Sequence, residues 1–597
     1  MFVGCWNRGS ELPEGQQAEL EEGMAYKVDC QCYLRKNVHI WFFGELYNKK
    51  ELGYGSIDDA ETFFTLYDLK RIQGLSSLDG AFTCVMKTPD SVLIVRDRHG
   101  LADQVYYTDK YFASSLSLLT LTKGFEATPD YQALSSFLSI GYIATPCSAF
   151  SSVRKLGAGE VLTYKDGHME SGPLFPTDAI IPVSSEEKTL EAYAEEYAAL
   201  HIGAIRKRIG ESSNVGILLS GGYDSGCNLA ALRSFYNGDI RSYSIGFKGD
   251  NWTELPLARC MSETFRTIHT EYEMDGSEIK ALPALVEQLG DPFVEGGLMV
   301  NYAVMRLIGK EKPDVILGGD GNDQYFGTSG REVALHYLIS RYGMKPIVNF
   351  LYKVLDRPAF DTDASPYRIR FHLDKILHIL EGDLFGFPTF RLEKLLRDHS
   401  FLYSSPHPLP DMRSFEYLYT QHNYKTDVEK IINQVILFKA SKIADMFGNH
   451  LVFPYMDLDL YMFLVRLPVR YKCKGDSVFR IAKGDVTAKY LLKYHYKSML
   501  PEAITVKKKQ GGFAPMPVFF KDDKQRARIA DYVLSSSLVS DFLNRDYVEK
   551  FVVSYDRESH EAGNWFWYKQ NRAIQYFNLL ALSVWWEKFV KQGNQFF

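Results

Sequence analysis

The hydrophobic and polar positions change their period along the chain. Up to about residue 170, apolar residues form short runs that turns interrupt, as at 38–43, 81–86 and 91–95. Runs of this length predict β-strands, and the pattern near 131–138 predicts one of a few helices among them. The first part of the chain is therefore predicted to be rich in β-structure.

A linker is predicted at 171–184, because this segment contains three prolines and a glycine. The linker divides the chain into a predicted first domain at 1–175 and a second at 185–597. Ser184 and Glu187 have the spacing of a capping box, and apolar residues then recur at helical spacing. A long helix is therefore expected at the start of the second domain.

Three further apolar runs, at 215–219, 240–247 and 315–317, have the length of buried strands and alternate with helical patterns. The first run leads through a Gly-rich turn into a helix that is predicted from about Cys227. Strands that alternate with helices predict a parallel, doubly wound sheet. From about residue 335 the pattern is mostly helical, and we interpret the aromatic residues at 401–424 as core.

Composition excludes several classes of protein. The net charge of −6 argues against a nucleic-acid-binding surface, which is usually strongly basic. The 8 cysteines are too few for a disulfide scaffold and lack the paired CxxC spacing of a zinc site, so Cys30 and Cys32 are interpreted as core or edge thiols. We find no signal-peptide pattern and no apolar run of about 18 residues. We therefore expect a cytoplasmic protein with neither nucleic-acid nor membrane partners.

The Gly-rich turn after the first strand of the predicted sheet carries candidate chemistry. Gly221 and Gly222 would let backbone N–H groups approach phosphate oxygens at a helix N-terminus, and Ser220 and Ser225 can donate hydroxyl hydrogen bonds. Asp224 is an acid among these groups, which indicates a bridging cation such as Mg²⁺. The alternative is a structural turn with a capping acid. The Gly-Lys-Ser/Thr ending of a Walker A loop is absent.

The sequence SGGYDS of this turn resembles the SGGxDS signature of PP-loop ATP pyrophosphatases, and later motifs resemble those of the asparagine synthetase family. These motifs occur in the family's order: SIGF at 244–247 followed by Glu254, DPF at 291–293, GDGNDQYFG at 319–327, FPYMD at 453–457 and KKKQG at 507–511.

The N-terminal part resembles the same family. Its matching segments are FGELYN at 43–48, Asp59-x-Glu61, LDGAF at 78–82, RDRHG at 96–100 with Tyr106-Tyr107, and GYI at 141–143 to RKL at 154–156. The resemblance implies an α/β protein of two domains. The first would be a class II glutamine amidotransferase-like (Ntn) α+β sandwich, and the second a PP-loop synthetase domain with helical additions.

Two positions of the first domain depart from the family. The family's glutamine-hydrolysing nucleophile is a Cys that becomes the first residue after Met removal, whereas here Met1 is followed by Phe2. A large second residue opposes Met removal, and Cys5 lies too far along to carry the terminal amine that serves as base. The family's oxyanion-hole Asn is Phe43, which cannot donate a hydrogen bond. The domain is therefore predicted not to hydrolyse glutamine.

The second domain departs at positions that we interpret as substrate-facing, whereas the ATP-facing motifs are kept. The acid and the Arg of the family's VEARVPFLD are His450 and Val452, and an upstream Asp-Arg pair is Ser441-Lys442. This is similar to the glutaminase-dead branches, the β-lactam synthetases and the lasso-peptide cyclases, in which the amine comes from the substrate. His450 and His99 are left out of catalysis.

The resemblance implies a role for each motif residue. A carboxylate would attack ATP to give an acyl-adenylate and pyrophosphate, and an amine would then displace AMP. Lys509 matches the catalytic lysine, with a solvated basic run as the alternative, and Asp320 is proposed as general base, with capping of its turn as the alternative. Asp224 and Asp323 would hold Mg²⁺. The other implied ATP- and pyrophosphate-binding residues are Ser220, Gly221, Gly222, Ser225, Ser244, Ile245, Gly246 and Gly319.

The expected activity is ATP-dependent amide-bond formation on a small-molecule or peptide carboxylate, and three hypotheses stay open. The first is a lasso-type peptide macrolactam synthetase, with a precursor peptide and a leader peptidase as candidate partners. The second is an asparagine synthase that uses free ammonia. The third is a catalytically idle scaffold, against which the retained Asp224, Asp323 and Lys509 argue.

Overall fold

The computed structural model describes residues 1–6, 19–21, 24–26, 30–175, 188–248, 253–327, 330–379, 386–403, 413–506, 514–559, 565–593 and 596–597. Its strands, β1 to β19 in chain order, are Phe2–Cys5, Glu19–Glu21, Met24–Tyr26, Cys30–Arg35, Val38–Leu46, Gly80–Lys87, Ser91–Arg96, Val105–Tyr107, Tyr111–Ala113, Arg154–Leu156, Glu160–Lys165, His168–Pro173, Val215–Leu218, Ile240–Phe247, Ile268–Met274, Val315–Leu317, Leu451–Val452, Cys473–Lys474 and Thr487–Ala488.

The α-helices, α1 to α25 in chain order, are Asp59–Lys70, Ile72–Leu75, Leu116–Thr120, Tyr131–Ile140, Leu190–Ile209, Tyr223–Arg233, Leu255–Phe265, Leu282–Leu289, Leu298–Ile308, Asn322–Phe326, Gly330–Arg341, Lys345–Leu355, Ser365–Leu377, Thr389–Leu395, Phe415–His422, Leu437–Met446, Leu458–Arg466, Val469–Lys472, Val478–Ala482, Tyr490–Tyr496, Glu502–Thr505, Asp523–Ser535, Ser537–Asp541, Arg545–Ser559 and Phe566–Trp585. A helical stretch with wider turns, Asn423–Ile436, joins α15 to α16.

The first domain is a sandwich of two six-stranded antiparallel sheets, with orders β10-β8-β9-β1-β3-β2 and β12-β11-β7-β6-β5-β4. Their facing surfaces bury an apolar core that includes the aromatic residues Phe2, Trp41, Phe43 and Phe112. Helices α1 and α2 cover the outer face of the second sheet, and α3 packs against the first. This arrangement confirms the predicted α+β sandwich.

The second domain contains a parallel sheet with strand order β15-β14-β13-β16-β17. Strands β13 and β16 are buried because helices cover both faces, with α5 and α6 on one side and α9 on the other. The strand order reverses between β13 and β16. In doubly wound sheets, ligands bind at the carboxyl ends of the strands at such a reversal. The predicted fold class is confirmed, and the fold places a crevice beside the end of β13.

Some local predictions need correction. The linker prediction is wrong for 171–175, because β12 pairs with β11 as far as Pro173 and the next two side chains, Leu174 and Phe175, are buried. Helix α6 begins at Tyr223 rather than near Cys227. Ser184 and Glu187 lie outside the described residues, and α5 is capped instead by Thr189, whose side chain accepts from the Ala192 N–H. The boundaries 1–175 and 185–597 stay predictions.

Those aromatic residues at 401–424 that the structure describes are buried or half-buried. Phe415 and Tyr419 are buried in a helical cluster with α11 and α19, which confirms the core interpretation for these two residues. Residues 404–412 lie outside the described part of the chain. Among the helices that can be described, none combines the length and the apolar character that a membrane crossing requires.

A buried ionic cluster joins the two domains. Arg208 on α5 lies 2.9 Å from Asp457 of the second domain and 3.4 Å from Asp79 of the first, and its guanidinium also lies over the ring of Tyr47. Lys207 adds a 2.6 Å ion pair to Asp457. Unpaired buried charges are costly, so this cluster fixes the two domains relative to each other.

Candidate active site

The predicted phosphate loop lies at the carboxyl end of β13, where the order of the parallel strands reverses. Gly222 is the N-cap residue of α6, its own N–H donates to the Ser220 hydroxyl at 3.2 Å, and no side chain caps this end of the helix. The backbone N–H groups of the first helical turn therefore lie at the carboxyl end of β13. An anion at this position would be favoured by these N–H groups and by the helix dipole. The sequence predicts a Gly-rich turn between a buried strand and a helix at this point, and the structure contains that turn between β13 and α6.

Hydrogen bonds within the loop hold its hydroxyl groups together. The Ser220 and Ser225 Oγ atoms lie 3.0 Å apart, and Ser225 also accepts from the Ser220 N–H at 3.1 Å. Gly221 is required by space, because a Cβ there would lie 2.7 Å from the Cβ of Leu257. The loop is therefore closely packed against α7 at Gly221, whereas Ser220 is exposed.

The SIGF segment forms the end of β14, beside the loop. Ser244 is buried and donates to the Leu219 carbonyl at 2.5 Å, which ties β14 to the loop. Ile245 is half-buried. A Cβ on Gly246 would lie 2.4 Å from a methyl carbon of Leu255. On the other side, Gly319 follows β16 and lies against Ser225, so both motifs border the same crevice.

Asp224 and Asp323 meet at one point, although 99 positions separate them in the sequence. Both carboxylates form 2.5 Å ion pairs with the ammonium of Lys489. Asp224 also accepts from the Asn322 amide at 2.5 Å. Burial disfavours the charge on Lys489, but the two carboxylates outweigh this effect and raise its pKa. The arrangement is a compact Asp–Lys–Asp bridge at the mouth of the phosphate loop.

This bridge bears on the predicted magnesium site. Within the described residues, no three His, Cys, Asp or Glu side chains are grouped to hold a metal ion. Magnesium commonly takes only one or two carboxylates and completes its shell with phosphate oxygens and water. Because Asp224 and Asp323 both contact one cationic group, two oxygen donors are available at a single point beside the loop. This donor set fits Mg²⁺ that arrives with the nucleotide.

Asp320 lies on the turn between β16 and α10, beside the same crevice. Burial raises the pKa of its carboxyl group to about 6, the charge of Lys439 opposes the rise, and the nearby Glu295 adds to it. A carboxylate with a pKa near 6 can accept a proton at neutral pH more readily than an ordinary aspartate. The electrostatics therefore suit the proposed general base.

Lys439 and Glu295 form an ion pair next to Asp320. Lys439 projects from α16 and is buried, and Glu295 also accepts from the Gly297 N–H at 2.8 Å. These two residues, like Lys489, were not found from the sequence. Lysines are common on solvated helix faces, and no local pattern marked either lysine as facing a site.

The predicted catalytic lysine, Lys509, lies with the rest of 507–513 outside the described residues. The chain on the amino side of this segment is described: α20 begins next to Lys489, and α21 ends at Thr505. The role of Lys509 stays a prediction.

The two positions that the family resemblance assigns to the nucleophile and the oxyanion donor hold two stacked rings. The rings of Phe2 and Phe43 have centroids 4.5 Å apart and an interplanar angle of 26°, and both residues are buried. The Phe2 N–H donates to the Ser114 hydroxyl at 2.9 Å, so the chain start is held within the sheet. At Gly44 the backbone has φ +112°, and a Cβ would lie 2.0 Å from the Ala81 carbonyl oxygen. The strand keeps this glycine next to an apolar cluster.

The interpretation of His450 and Lys442 as substrate-facing is wrong, because both residues contact the first domain. His450 lies 2.5 Å from Glu45 of the first domain, and this contact raises the pKa of the imidazole. Lys442 is buried in a 2.8 Å ion pair with Asp103, also of the first domain. Both residues bind the two domains together, because they face the sandwich rather than the crevice.

His99, which the sequence analysis left out of catalysis, is a buried residue with structural contacts. Its ring lies 3.0 Å from both Asn433 and the hydroxyl of Tyr325. Burial, with a contribution from the charge of Arg98, lowers the pKa of His99 to about 3. A neutral ring with a partner on each nitrogen is unsuited to acid–base exchange near neutral pH.

Comparison with known sequences gives two matches to family patterns. The asparagine synthase pattern matches residues 197–587, and the glutamine amidotransferase domain pattern matches residues 24–175. Asparagine synthetase [glutamine-hydrolyzing] 1 of Bacillus subtilis is 22% identical over 555 residues, which span 88% of this chain and 83% of that protein.

Two other relatives cover less of the chain. The carboxyethyl-arginine beta-lactam-synthase of Streptomyces clavuligerus is 27% identical over 356 residues, 57% of this chain and 66% of that protein. A putative asparagine synthetase [glutamine-hydrolyzing] 2 of Methanocaldococcus jannaschii is 26% identical over 310 residues, 49% of this chain and 59% of that protein.

Proposed function

This chain belongs to the asparagine synthase family, whose members are ATP-dependent C–N ligases that form AMP, and we propose that it joins a substrate carboxylate to a substrate-borne amine without hydrolysing glutamine. The observation that carries this proposal is the Phe2–Phe43 stack. Two buried aromatic rings occupy the positions where glutamine hydrolysis needs a thiol and an amide donor.

The proposed reaction begins with adenylation. The backbone N–H groups at Gly221 and Gly222 and the hydroxyl of Ser220 bind the phosphates of ATP at the start of α6. Asp224 and Asp323 would hold Mg²⁺, which neutralises phosphate charge when it is bound. The substrate carboxylate attacks the α-phosphate, the acyl-adenylate forms, and pyrophosphate leaves.

Amide formation completes the reaction. The amine attacks the acyl carbon, the bond to AMP breaks, and the amine loses one proton. Asp320 is the proposed acceptor of that proton, since its raised pKa leaves it ionised but basic near neutral pH. Lys439 opposes the rise of that pKa, and its ion pair with Glu295 holds its charge beside Asp320.

The proposed substrate is a peptide that carries both the carboxylate and the amine, which makes the enzyme a macrolactam synthetase of lasso type. A precursor peptide and a leader peptidase would then be its partners. Support comes from the filled glutaminase position, because an enzyme without its own ammonia source needs another amine. The relatives that are named asparagine synthetases favour the second candidate, asparagine formation from aspartate and free ammonia.

ATP–pyrophosphate exchange distinguishes these candidates. The purified protein is incubated with labelled pyrophosphate, ATP and Mg²⁺, with either aspartate or short peptides that contain Asp or Glu. Exchange that requires a peptide supports the macrolactam proposal. Exchange with aspartate, followed by asparagine formation from ammonium, would overturn it. Absence of exchange with all carboxylates tested would favour the idle scaffold.

Two controls complete the experiment. Asp224→Asn is expected to abolish exchange, whereas the same change at the exposed Asp90 should leave it unaltered. Release of glutamate from glutamine is measured separately. Glutaminase activity above that of a protein-free blank would contradict the proposal that glutamine is not used.

A further inference from the structure

Helix α12 exposes an apolar stripe on the surface of the second domain. Ile347 and Phe350 are 69% and 70% exposed, and Leu351 is exposed beside them. The opposite side of α12 packs against α13 and α11, and Leu355 is its only buried residue. The helix is therefore held in place by one face and leaves a second apolar face to solvent.

The stripe has the spacing of a helix-packing seam. Ile347, Phe350, Leu351 and Val354 stand at positions i, i+3, i+4 and i+7, which line one face of an α-helix. This is the pattern with which one helix packs along another.

The apolar surface extends beyond α12. Tyr342 and Met344, which precede the helix, are also exposed, and the ring of Tyr342 lies 6.1 Å from that of the exposed Phe479 on α19. With aromatic side chains of roughly 200 Å² each, the six exposed residues of the stripe and its extension present on the order of 600 Å². That is the upper end of what a monomer usually exposes in one patch.

The charged side chains of the segment that carries the stripe have one sign, whereas the exposed Asp476 and Asp485 lie near Phe479 in the chain. The segment from Arg341 to Leu355 contains the basic residues Arg341, Lys345 and Lys353 and no Asp or Glu. Lys353 is exposed on the flank of the stripe, three residues beyond Phe350. The chain as a whole carries a net charge of −6, so this segment is a local basic site on an acidic protein. A partner of matching chemistry would carry acidic residues beside an apolar seam.

Two other occupants fit these observations less well. A second copy of the chain would bring an identical basic segment against the first, and like charges across an interface are unfavourable. An anionic membrane would attract the three basic residues but repel the rest of an acidic chain. A helical polypeptide with an apolar face and acidic flanks can pack along the apolar stripe and also pair with its basic residues.

We propose that the exposed face of α12, together with Tyr342, Met344 and Phe479, is the docking surface for an acidic amphipathic helix of a partner polypeptide. The apolar side of the partner helix packs along Ile347, Phe350 and Leu351. Its acidic flank pairs with Lys353 and Arg341. This recognition is independent of the chemistry at Ser220–Ser225.

The test uses a labelled synthetic helix of about 20 residues as probe, with Leu at seam spacing and Glu on its flanks. A matched probe carries Lys in place of every Glu. Fluorescence anisotropy with the full chain is expected to show at least about tenfold tighter binding of the acidic probe. Phe350→Asp should weaken that binding by about tenfold or more, and Lys353→Glu should remove most of the preference between probes.

Val553→Asp is the matched control, because Val553 is also 70% exposed but lies on α24. It should bind the acidic probe as the unaltered chain does, and circular dichroism should show that all variants are folded. Equal affinity for both probes, or unaltered binding by Phe350→Asp, would overturn the proposal. Dimers that Phe350→Asp dissociates would assign the face to a second copy. Co-sedimentation with phosphatidylglycerol vesicles, without probe binding, would assign it to a membrane.

Discussion

The side chain of Phe2 lies on that of Phe43, and their ring centroids are 4.5 Å apart. The two residues come from different sheets of the sandwich, since Phe2 belongs to β1 and Phe43 to β5. The contact joins the two predicted losses in the glutaminase machinery in a single structural feature. The two rings pack against each other in one buried core. Replacing only one of them by the family's smaller residue, Cys or Asn, would therefore leave a cavity beside the other ring or force the core to repack.

Phe43→Ala is expected to destabilise the protein by about 3–5 kcal/mol, because it removes a buried aromatic side chain and leaves a cavity. Chemical denaturation followed by fluorescence or circular dichroism measures this loss. Phe350→Ala is the matched control, since Phe350 is 70% exposed. Equal losses for the two variants would show that the stack contributes nothing beyond surface packing.

Lys489→Met should couple the stability of the protein to Mg²⁺. Without the ammonium, Asp224 and Asp323 repel each other, and breaking a buried ion pair from one side typically costs about 3–5 kcal/mol. The melting temperature should therefore fall in EDTA and recover on addition of Mg²⁺, while the unaltered protein responds less. A variant whose Tm is insensitive to Mg²⁺ would argue against a metal site at these two carboxylates.

Asp320 should set the acid limb of the pH profile for amide formation. Its carboxylate must be ionised to accept a proton, so the rate should fall as the pH drops through about 6. Asp320→Asn should lower amide formation by about 10²–10⁴-fold and leave pyrophosphate exchange largely intact. An equal loss in both steps would instead indicate a role in ATP binding or folding.

The Asp320 carboxyl group should also make the free energy of unfolding depend on pH. A carboxyl group whose pKa is raised in the folded state binds its proton more tightly there than in the unfolded chain. Its contribution to stability is present below the unfolded pKa near 4 and is lost as the pH rises through about 6. Denaturation of Asp320→Asn at pH 5 and pH 7.5 should show the larger gain over the unaltered protein at pH 7.5. No difference between these pH values would contradict the raised pKa.

Lys439→Met should move the acid limb of the pH profile to higher pH. Lys439 lowers the pKa of Asp320, and its removal also leaves Glu295 uncompensated beside that carboxyl group. Both effects raise the pKa of Asp320 further. The pH–rate profile of amide formation provides the measurement, and a shift to lower pH would show that Lys439 does not act on Asp320.

Arg208→Met should destabilise the interface between the two domains. It leaves Asp79 buried without its Arg208 partner and Asp457 paired with Lys207, at an expected cost of about 3–5 kcal/mol. Arg259→Met is the control, because Arg259 pairs with Glu271 at the surface, where an ion pair contributes little to stability. Limited proteolysis between the domains should accelerate only in the Arg208 variant.

The sequence by itself determined the features that depend on neighbouring residues. The turn at Ser220–Ser225 and the alternation of strands and helices around it could be predicted from local spacing, whereas the replacements at Phe2 and Phe43 followed from the resemblance to the asparagine synthetase family. These features are local because a strand end, a Gly-rich turn and a helix start are set by backbone preferences over a few residues.

Only the tertiary structure decided which distant side chains meet. The Asp224–Lys489–Asp323 bridge, the Lys439–Glu295 pair beside Asp320, and the stacking of the two phenylalanines all join residues that are far apart in the chain. Spacing carries no information on such contacts, because they depend on how sheets and helices pack in three dimensions. The tertiary structure thus places three charged side chains, Asp224, Asp323 and Lys489, beside the predicted phosphate loop. It also shows that His450 and Lys442 hold the two domains together.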